Sequence, residues 1–460
     1  MNKLRFFIAL YAAKLAQGMM KLLGRNATYL PGKIAIAISK DFLKHLTPPK
    51  TVIAVTGTNG KTTVSNLLSS VLTENGYSIT NNSFGSNVQA GVISALIEDT
   101  KLSGKPKKDI AVLEVDERSS LLIYPHLKPD YLVCNNIMRD SLKRNAHTEF
   151  ISYVISEALP SSTTLILNAD DLIASGLRTK DQKTVYFGLD AEKPEQSLPQ
   201  HIRDIVYCPN CGAMLEAEYV RYNHIGRHSC PNCGLHSPTP NYCVTSIDRS
   251  NQTFTLRSQD KEEVYTLIND NIVNVYNFAA AIALLSELGL TYEQISKGFT
   301  QTKIVKTRFE EIDSGLLHII MLMAKGQNPI ACARCYDYVA QSELTDKCAI
   351  FVVDDRDDNI NNTESTCWLY DCDYSALADP SIKQLIFAGP RCKDHLLRAL
   401  LAGVDPEKIS ITEKCAEAVS YVDPKISKNI FVLHELYRAE DAQLVKNGLI
   451  KLGKEIAHDN

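Results

Sequence analysis

The sequence lacks an apolar run long enough to cross a bilayer. Its most apolar N-terminal stretch, residues 4–23, is interrupted by Arg5, Lys14, Gln17 and Lys21. No small-residue cleavage site follows a compact apolar core, so a secretory signal is not expected either. We therefore expect a protein without a membrane span.

The chain also lacks an excess of one charge, an internal repeat and a low-complexity segment. Its 49 basic and 53 acidic side chains give a net charge of -4, and 45% of residues are hydrophobic. This balance excludes a disordered chain and argues against a nucleic-acid-binding surface. The length of 460 residues predicts two or three domains with sizeable cores.

The cysteine count of 13 is odd, which favours reduced thiols and the cytosol. Four of these cysteines form two copies of one motif, Cys208-Pro-Asn-Cys211-Gly and Cys230-Pro-Asn-Cys233-Gly. Paired thiols at this spacing are typical of a structural zinc site, and four thiolates leave no open position for catalysis. We expect zinc on Cys208, Cys211, Cys230 and Cys233.

Alternating strand and helix patterns dominate the chain from residue 51 onward. Residues 1–48 read as two helices that pack on the following domain, and they end at Pro48-Pro49. Buried strands are predicted at 51–56, 110–115, 131–135 and 164–168. Because helices alternate with these strands, a doubly wound, mostly parallel α/β sheet is expected.

The remaining sequence predicts an inserted ribbon and a second α/β domain. We expect a central domain over residues 49–310, interrupted by the cysteine ribbon at 200–245. A smaller Rossmann-like domain follows at 311–460. Its predicted strands lie at 349–353, 384–388 and 429–433.

The most specific motif, Thr-Gly-Thr-Asn-Gly-Lys-Thr-Thr at residues 56–63, follows a predicted buried strand and opens a helix. Glycines let the backbone wrap phosphate oxygens, Lys61 can reach the β- and γ-phosphates, and the Thr62 hydroxyl can bind magnesium. The strict pattern fails because Val55 replaces its first glycine. We predict ATP-binding residues Gly57, Thr58, Asn59, Gly60, Lys61, Thr62 and Thr63.

This variant of the phosphate loop resembles that of the Mur ligase family, the ATP-dependent enzymes that build the peptidoglycan stem peptide. The cysteine ribbon, Asn-Asn-Ile-Met-Arg-Asp at 135–140 and Gly-Pro-Arg at 389–391 resemble the MurT branch of that family. The resemblance implies a central Mur ligase domain, a C-terminal Mur-type domain, ATP and Mg²⁺. It also implies a partner subunit, a glutamine amidotransferase of the GatD type.

The resemblance assigns roles to single residues. Glu114 matches the carboxylate that holds magnesium with Thr62, and Lys61, Glu114 and Arg308 make up the implied catalytic set. Asn277, Arg308 and Asn328 match nucleotide contacts. A solvated strand-end carboxylate remains the alternative for Glu114, and a hinge salt bridge remains the alternative for Arg308.

The implied activity is amidation of lipid II in the bacterial cytoplasm. Transfer of the γ-phosphate to the α-carboxyl of D-glutamate would make an acyl phosphate, which ammonia from the partner converts to D-isoglutamine. A peripheral contact with the inner face of the membrane is compatible with a lipid-linked substrate. No nucleic acid is expected as a partner.

The C-terminal motif departs from the family pattern. Asn362 stands where the family has an aspartate thought to complete the Cys-His glutaminase site of the partner. Asp357, Asp358 or Glu364 could take that role, and a plain solvated loop is an equal alternative. The departure leaves open a divergent Mur-type ligase with another acceptor or amine, and a nucleotide-binding scaffold subunit.

Overall fold

The structure is a computed structural model, which divides into two compact units. The first unit is formed by residues 1–138, 147–199 and 203–304, and the second by 139–146, 200–202 and 305–460. The described residues are 2–82, 86–140, 147–178, 181–191, 203–259, 261–268, 271–301, 309–324, 328–354 and 366–459.

The first unit contains a nine-stranded sheet with helices on its faces. Its helices are α1 (Asn2–Leu22), α2 (Leu30–Ile38), α3 (Phe42–His45), α4 (Lys61–Glu74), α5 (Gln89–Glu98), α6 (Ser120–Leu127), α7 (Thr148–Ala158), α8 (Leu172–Ser175), α9 (Ile272–Glu287) and α10 (Tyr292–Thr300). The strands of this unit are β1 (Thr51–Thr56), β2 (Ile79–Asn81), β3 (Ile110–Glu114), β4 (Tyr131–Cys134), β5 (Thr164–Asn168), β6 (Thr184–Leu189), β7 (Glu216–Tyr222), β8 (Ile225–Ser229), β9 (Tyr242–Asp248), β10 (Thr253–Ser258) and β11 (Lys261–Thr266). Of these, β7 and β8 form a separate two-stranded sheet, and the other nine form the large sheet.

The strand order of this sheet is β11-β10-β9-β6-β5-β4-β1-β3-β2. In this spatial order, each pair of neighbouring strands between β2 and β9 is parallel. The pairs β9–β10 and β10–β11 are antiparallel. β3 is buried along its whole length, as expected for a parallel strand covered on both faces. The predicted mostly parallel α/β sheet is thus confirmed.

The N-terminal helices pack on one face of this sheet. Phe6 and Leu10 of α1 and Phe42 of α3 belong to the same apolar cluster as Leu113 of β3 and Ile93 of α5. On burial these side chains each contribute about 1.5–3 kcal/mol of hydrophobic stabilisation. Where the described residues form helices, none is both long and apolar enough to span a membrane.

The second unit contains a six-stranded sheet of order β12-β13-β17-β14-β15-β16. β12 and β13 pair antiparallel, and the other neighbours are parallel. Apolar clusters cover both faces. The elements are β12 (Phe309–Ser314), β13 (Leu317–Met323), α11 (Pro329–Gln341), β14 (Lys347–Val352), α12 (Cys367–Tyr370), β15 (Ile382–Ala388), α13 (Cys392–Leu401), β16 (Ile409–Thr412), β17 (Asn429–His434) and α14 (Ala439–Asp459).

Candidate active site

The predicted phosphate loop joins the buried strand β1 to the start of α4. Gly57 and Gly60 both have positive φ, +116° and +90°, a region that favours glycine. A Cβ on Gly57 would lie 2.8 Å from Asn136 O, and one on Gly60 would overlap the side chains of Asn135 and Asn277. The loop therefore needs glycine for both its conformation and its close contacts.

A segment after β4, residues 135–138, holds the loop in shape. The amide of Thr58 donates to Asn136 O at 2.9 Å, and its hydroxyl accepts from Met138 N at 2.8 Å. The amide of Asn59 donates to Asn136 Oδ1 at 2.9 Å. β4 and β3 flank β1 in the sheet, so this segment, the loop and the end of β3 share one edge. That edge is where ligands bind in open parallel sheets.

Lys61, the first residue of α4, lies among carboxylates. Its Nζ donates to Gly57 O at 2.5 Å and to Glu117 Oε1 at 2.8 Å. Burial would lower the pKa of Lys61, but the charges of Glu117, Glu114 and Asp116 outweigh it and hold that pKa above the ordinary value. The ammonium is therefore charged at neutral pH, as phosphate binding requires.

Glu114 and Thr62 meet at the end of β3. The Thr62 hydroxyl donates to Glu114 Oε2 at 2.8 Å, and Asn87 Nδ2 donates to Glu114 Oε1 at 3.2 Å. The backbone of Glu114 exchanges two hydrogen bonds of 2.8 Å with the Asn82 side chain. A hydroxyl and a carboxylate are hard oxygen donors that fit Mg²⁺, with Asp116 buried close by in sequence.

The predicted nucleotide residues Asn277 and Asn328 are both buried. Asn277, on α9, accepts a hydrogen bond from the side chain of Asn135 and lies beside Gly60. Asn328 belongs to the second unit, where its Oδ1 caps α11 by accepting from Ala331 N at 2.8 Å. Of these two residues, Asn277 lies in the same unit as the phosphate loop and directly beside it, whereas Asn328 lies in the other unit.

Several predicted residues lie outside the described part of the chain. These residues are the nucleotide and catalytic candidate Arg308 and the candidates for the partner's glutaminase site, Asn362, Asp357, Asp358 and Glu364.

The four predicted zinc ligands form one cluster in the first unit. Their Sγ atoms all lie within 4.8 Å of one another. The two motifs share one backbone fold: Cys208 N donates to Ala213 O and Cys230 N to Leu235 O, each at 2.7 Å. The Asn232 side chain and the Ala213 amide lower the pKa of the Cys211 thiol to about 6. At Cys233 the lowering by the Leu235 amide is outweighed by the neighbouring thiols, Cys208 foremost, which raise the pKa to about 12. Four convergent sulfurs fit a closed tetrahedral site for a soft metal.

The hairpin β7–β8 beside these cysteines connects to the loop through buried polar groups. His224 Nε2 lies 3.0 Å from Asp171 Oδ1, and Asp171 Oδ2 accepts from Ile137 N at 2.7 Å. Ile137 belongs to the segment that holds Thr58. Sequence reasoning missed Asp171 and His224, because their contact joins positions 53 residues apart.

Sequence reasoning also gave no supporting role to the asparagines around the loop. Asn87 and Asn82 orient Glu114, and Asn136 supports the loop. A sequence signal existed for Asn135 and Asn136, because polar residues directly after a predicted buried parallel strand lie at its carboxyl edge.

Comparison with known proteins identifies relatives over most of the chain. The Mur ligase middle domain matches residues 55–233, and the MurT ligase C-terminal domain matches residues 326–438. The lipid II isoglutaminyl synthase (glutamine-hydrolyzing) subunit MurT of Staphylococcus aureus (strain COL) is 32% identical over 406 residues, 87% of this chain and 89% of that protein. The subunit of the same name from Streptococcus pneumoniae (strain ATCC BAA-255 / R6) is 27% identical over 94% of each chain.

Solved structures share the fold at lower identity. A pseudomurein peptide ligase type C from Methanothermus fervidus superposes with a TM-score of 0.64 at 21% identity, over 92% of this chain and 81% of that one. A crystal structure of MurF from Acinetobacter baumannii gives a TM-score of 0.60 at 17% identity, over 92% and 80%. The chain therefore belongs to the Mur ligase family, whose members are ATP-dependent ligases, and within that family to the MurT group.

Proposed function

We propose that the chain is the ligase subunit of a lipid II amidating enzyme. In this proposal it uses ATP to convert the α-carboxyl of the D-glutamate in the stem peptide to the amide of D-isoglutamine. The observation that carries the proposal is the meeting of Lys61, Thr62 and Glu114 at one edge of the parallel sheet. The names of the relatives supply the substrate, and the chain spans nearly their whole length.

A carboxylate resists attack by ammonia because it is anionic and its oxygen leaves poorly. Transfer of the γ-phosphate of ATP to the carboxylate forms the P–O bond of an acyl phosphate and releases ADP. Neutral ammonia then attacks the carbonyl carbon, phosphate leaves with the C–O bond electrons, and the ammonium formed loses a proton. Catalysis therefore consists mainly of holding the reacting groups in line and balancing their charge.

The residues of the loop would do this work. Lys61, kept charged by its carboxylate neighbours, would bind the β- and γ-phosphate oxygens, with Glu117 fixing its position. Thr62 and Glu114 would hold Mg²⁺, which neutralises phosphate charge when bound. Asn277, Arg308 and Asn328 are proposed as further nucleotide contacts.

We further propose that the ammonia comes from a glutamine amidotransferase subunit of the GatD type. Asn362, or else Asp357, Asp358 or Glu364, would contact the histidine of that partner. An asparagine can accept from a histidine N–H and fix its tautomer, but it supplies no charge to an imidazolium. Glutamine-dependent activity is therefore expected to be weaker than activity with added ammonia. A bacterial cytoplasmic location follows from this proposed role.

The test is incubation of the purified chain and its amidotransferase partner with lipid II, ATP and glutamine. The proposal predicts a stem-peptide mass that matches conversion of one carboxyl group to an amide. An unchanged mass with both glutamine and ammonium as nitrogen donors would overturn it. If amidation occurred with ammonium but not with glutamine, the proposed ligase reaction would stand. The proposed role of Asn362 in the glutaminase site of the partner would then be wrong.

The departure at Asn362 favours one second candidate, a Mur-type ligase that joins a free amine without a glutaminase. In that case, with ATP and a free amino acid or other amine but no partner subunit, a stem peptide would gain the mass of that amine less one water. The same mass measurement separates the two candidates.

A further inference from the structure

The N-terminal helix α1 is apolar on two opposite faces. One face, which includes Phe6, Ala9, Leu10 and Ala13, is buried in the core of the first unit. The other face consists of large apolar side chains that are 49–89% exposed: Leu4, Ile8, Tyr11, Leu15, Met19 and Leu22.

The spacing of these exposed residues places them in one stripe. Successive members are three or four positions apart, which is the repeat of a single helix face. The helix is about 30 Å long, so the stripe is a continuous surface. Leu23, Tyr29 and Leu30, which follow α1 in the sequence, are also exposed, by 72%, 44% and 43%. Isolated exposed apolar side chains are ordinary, but a contiguous row marks a binding surface.

The segment that contains the stripe carries charge of one sign, although Glu98 of α5 lies beside it and pairs with Lys21. The first 40 residues contain seven lysines and arginines and no aspartate or glutamate, although the whole chain has a net charge of -4. Lys3, Arg5 and Arg25 are exposed at this end of the chain. Lys14 and Lys21 extend sideways from the stripe to Ile97 O and Glu98, at 2.7 and 2.5 Å.

An apolar stripe bordered by basic residues matches an anionic membrane surface. The apolar side chains can enter the boundary between headgroups and acyl chains, while lysine and arginine remain with the phosphates. A helix with its other face packed into a protein core lies along that surface rather than crossing it. A protein partner would need a complementary acidic rim, which is a narrower requirement than that of a bilayer.

We propose that α1 docks the protein onto an anionic lipid surface through the stripe Leu4, Ile8, Tyr11, Leu15, Met19 and Leu22. The stripe and the nucleotide loop are separate features, so this docking needs neither ATP nor the amidation reaction. If the proposed substrate is right, docking keeps the enzyme at the surface that carries its lipid-linked acceptor.

The test is sedimentation of the full-length chain with vesicles of phosphatidylcholine alone or of phosphatidylcholine with phosphatidylglycerol. The wild-type chain should bind the phosphatidylglycerol vesicles, and binding should weaken as salt is added. The double variant Leu15→Gln, Leu22→Gln should bind at least about tenfold more weakly, because it removes apolar surface from the centre and end of the stripe. Both side chains are exposed, so the fold should be retained.

A matched control is the double variant Leu400→Gln, Leu401→Gln, at exposed leucines of α13 in the second unit. It should bind vesicles as the wild type does. The proposal would be overturned if the wild type did not bind the vesicles, or if both double variants lost binding equally. It would also be overturned if the stripe variant bound vesicles as the wild type does but no longer associated with itself. Because the vesicles contain no substrate, these outcomes leave the proposed amidation activity untouched.

Discussion

At the residue scale, the site depends on the different neighbours of Lys61 and Glu114. Lys61 is paired with Glu117 and surrounded by further carboxylates, whereas Glu114 faces the hydroxyl of Thr62. A nucleotide brings negative phosphates to Lys61, and a magnesium ion brings positive charge to Glu114. The two residues therefore offer opposite charges at one edge of the sheet, which suits a magnesium–ATP complex better than either component alone.

The charge of Glu114 should control the magnesium requirement. In Glu114→Gln an amide oxygen can still accept from Thr62, but the negative charge is lost. We expect the magnesium concentration for half-maximal ATP hydrolysis to rise by about tenfold or more. A titration of activity against magnesium measures this shift.

The control for this variant is Glu413→Gln, at a carboxylate 68% exposed and paired with Lys393 in the second unit. Its magnesium requirement should equal that of the wild type. An unchanged requirement in Glu114→Gln would show that this carboxylate is only a strand-end cap.

At the element scale, α4 lies between two glycines of positive φ, Gly60 directly before its first residue and Gly76 two positions after its last. Gly60 has φ +90° and Gly76 has φ +83°. A Cβ on Gly60 would overlap Asn135 and Asn277, whereas nothing lies within 4 Å of one on Gly76. Alanine substitutions at the two positions therefore separate the free energy of backbone strain, present at both, from that of steric overlap, present at Gly60.

Gly76→Ala should destabilise the protein by about 1–2 kcal/mol through its backbone alone. In Gly60→Ala the steric overlap adds to the backbone strain, so the loss of unfolding free energy should total about 3 kcal/mol or more. This variant should also bind ATP more weakly. Denaturant unfolding and nucleotide titration of both variants test this. Equal unfolding free energies and equal ATP affinities would mean that the loop tolerates a side chain at Gly60.

The cysteine ribbon is a second element whose stability can be tested by itself. The four convergent sulfurs predict about one zinc ion per chain. Cys211→Ser should lose this zinc and the hydrogen-exchange protection of β7 and β8, because metal ligation replaces a core in such small motifs. Metal analysis with exchange mass spectrometry measures both.

Cys367→Ser is the matched control, since Cys367 is an exposed thiol outside the cluster. It should retain the zinc and the protection of the ribbon. Full zinc content in Cys211→Ser would contradict the predicted ligand set.

At the scale of the whole molecule, the sequence was informative where contacts are local. Buried runs such as 51–56 predicted strands because an apolar run bounded by turns has few alternatives. The glycines and Lys61 of the loop were predictable because one short segment contains the whole motif.

The remaining features depend on contacts between distant segments. Glu117 pairs with Lys61 across 56 positions, and Asn136 reaches Asn59 across 77. Neither residue type is unusual where it stands, so only the sheet order brings them together. The added antiparallel strands β10 and β11 also escaped prediction, since their alternating polar pattern resembles surface loops. The domain limits near residues 49 and 310 stay predictions.

The measurement that tests the central claim most directly is calorimetric titration of ATP with magnesium into the purified wild-type chain and Lys61→Ala. The wild type should bind ATP at one site, and the variant should bind it at least about tenfold more weakly, because it loses charge-assisted hydrogen bonds to phosphate. Because Lys61→Ala removes the salt bridge to Glu117, circular dichroism of the variant is needed beside the titration, and it should match that of the folded wild type. Absence of binding by the wild type, or equal binding by a folded variant, would contradict the claim that this loop binds the nucleotide.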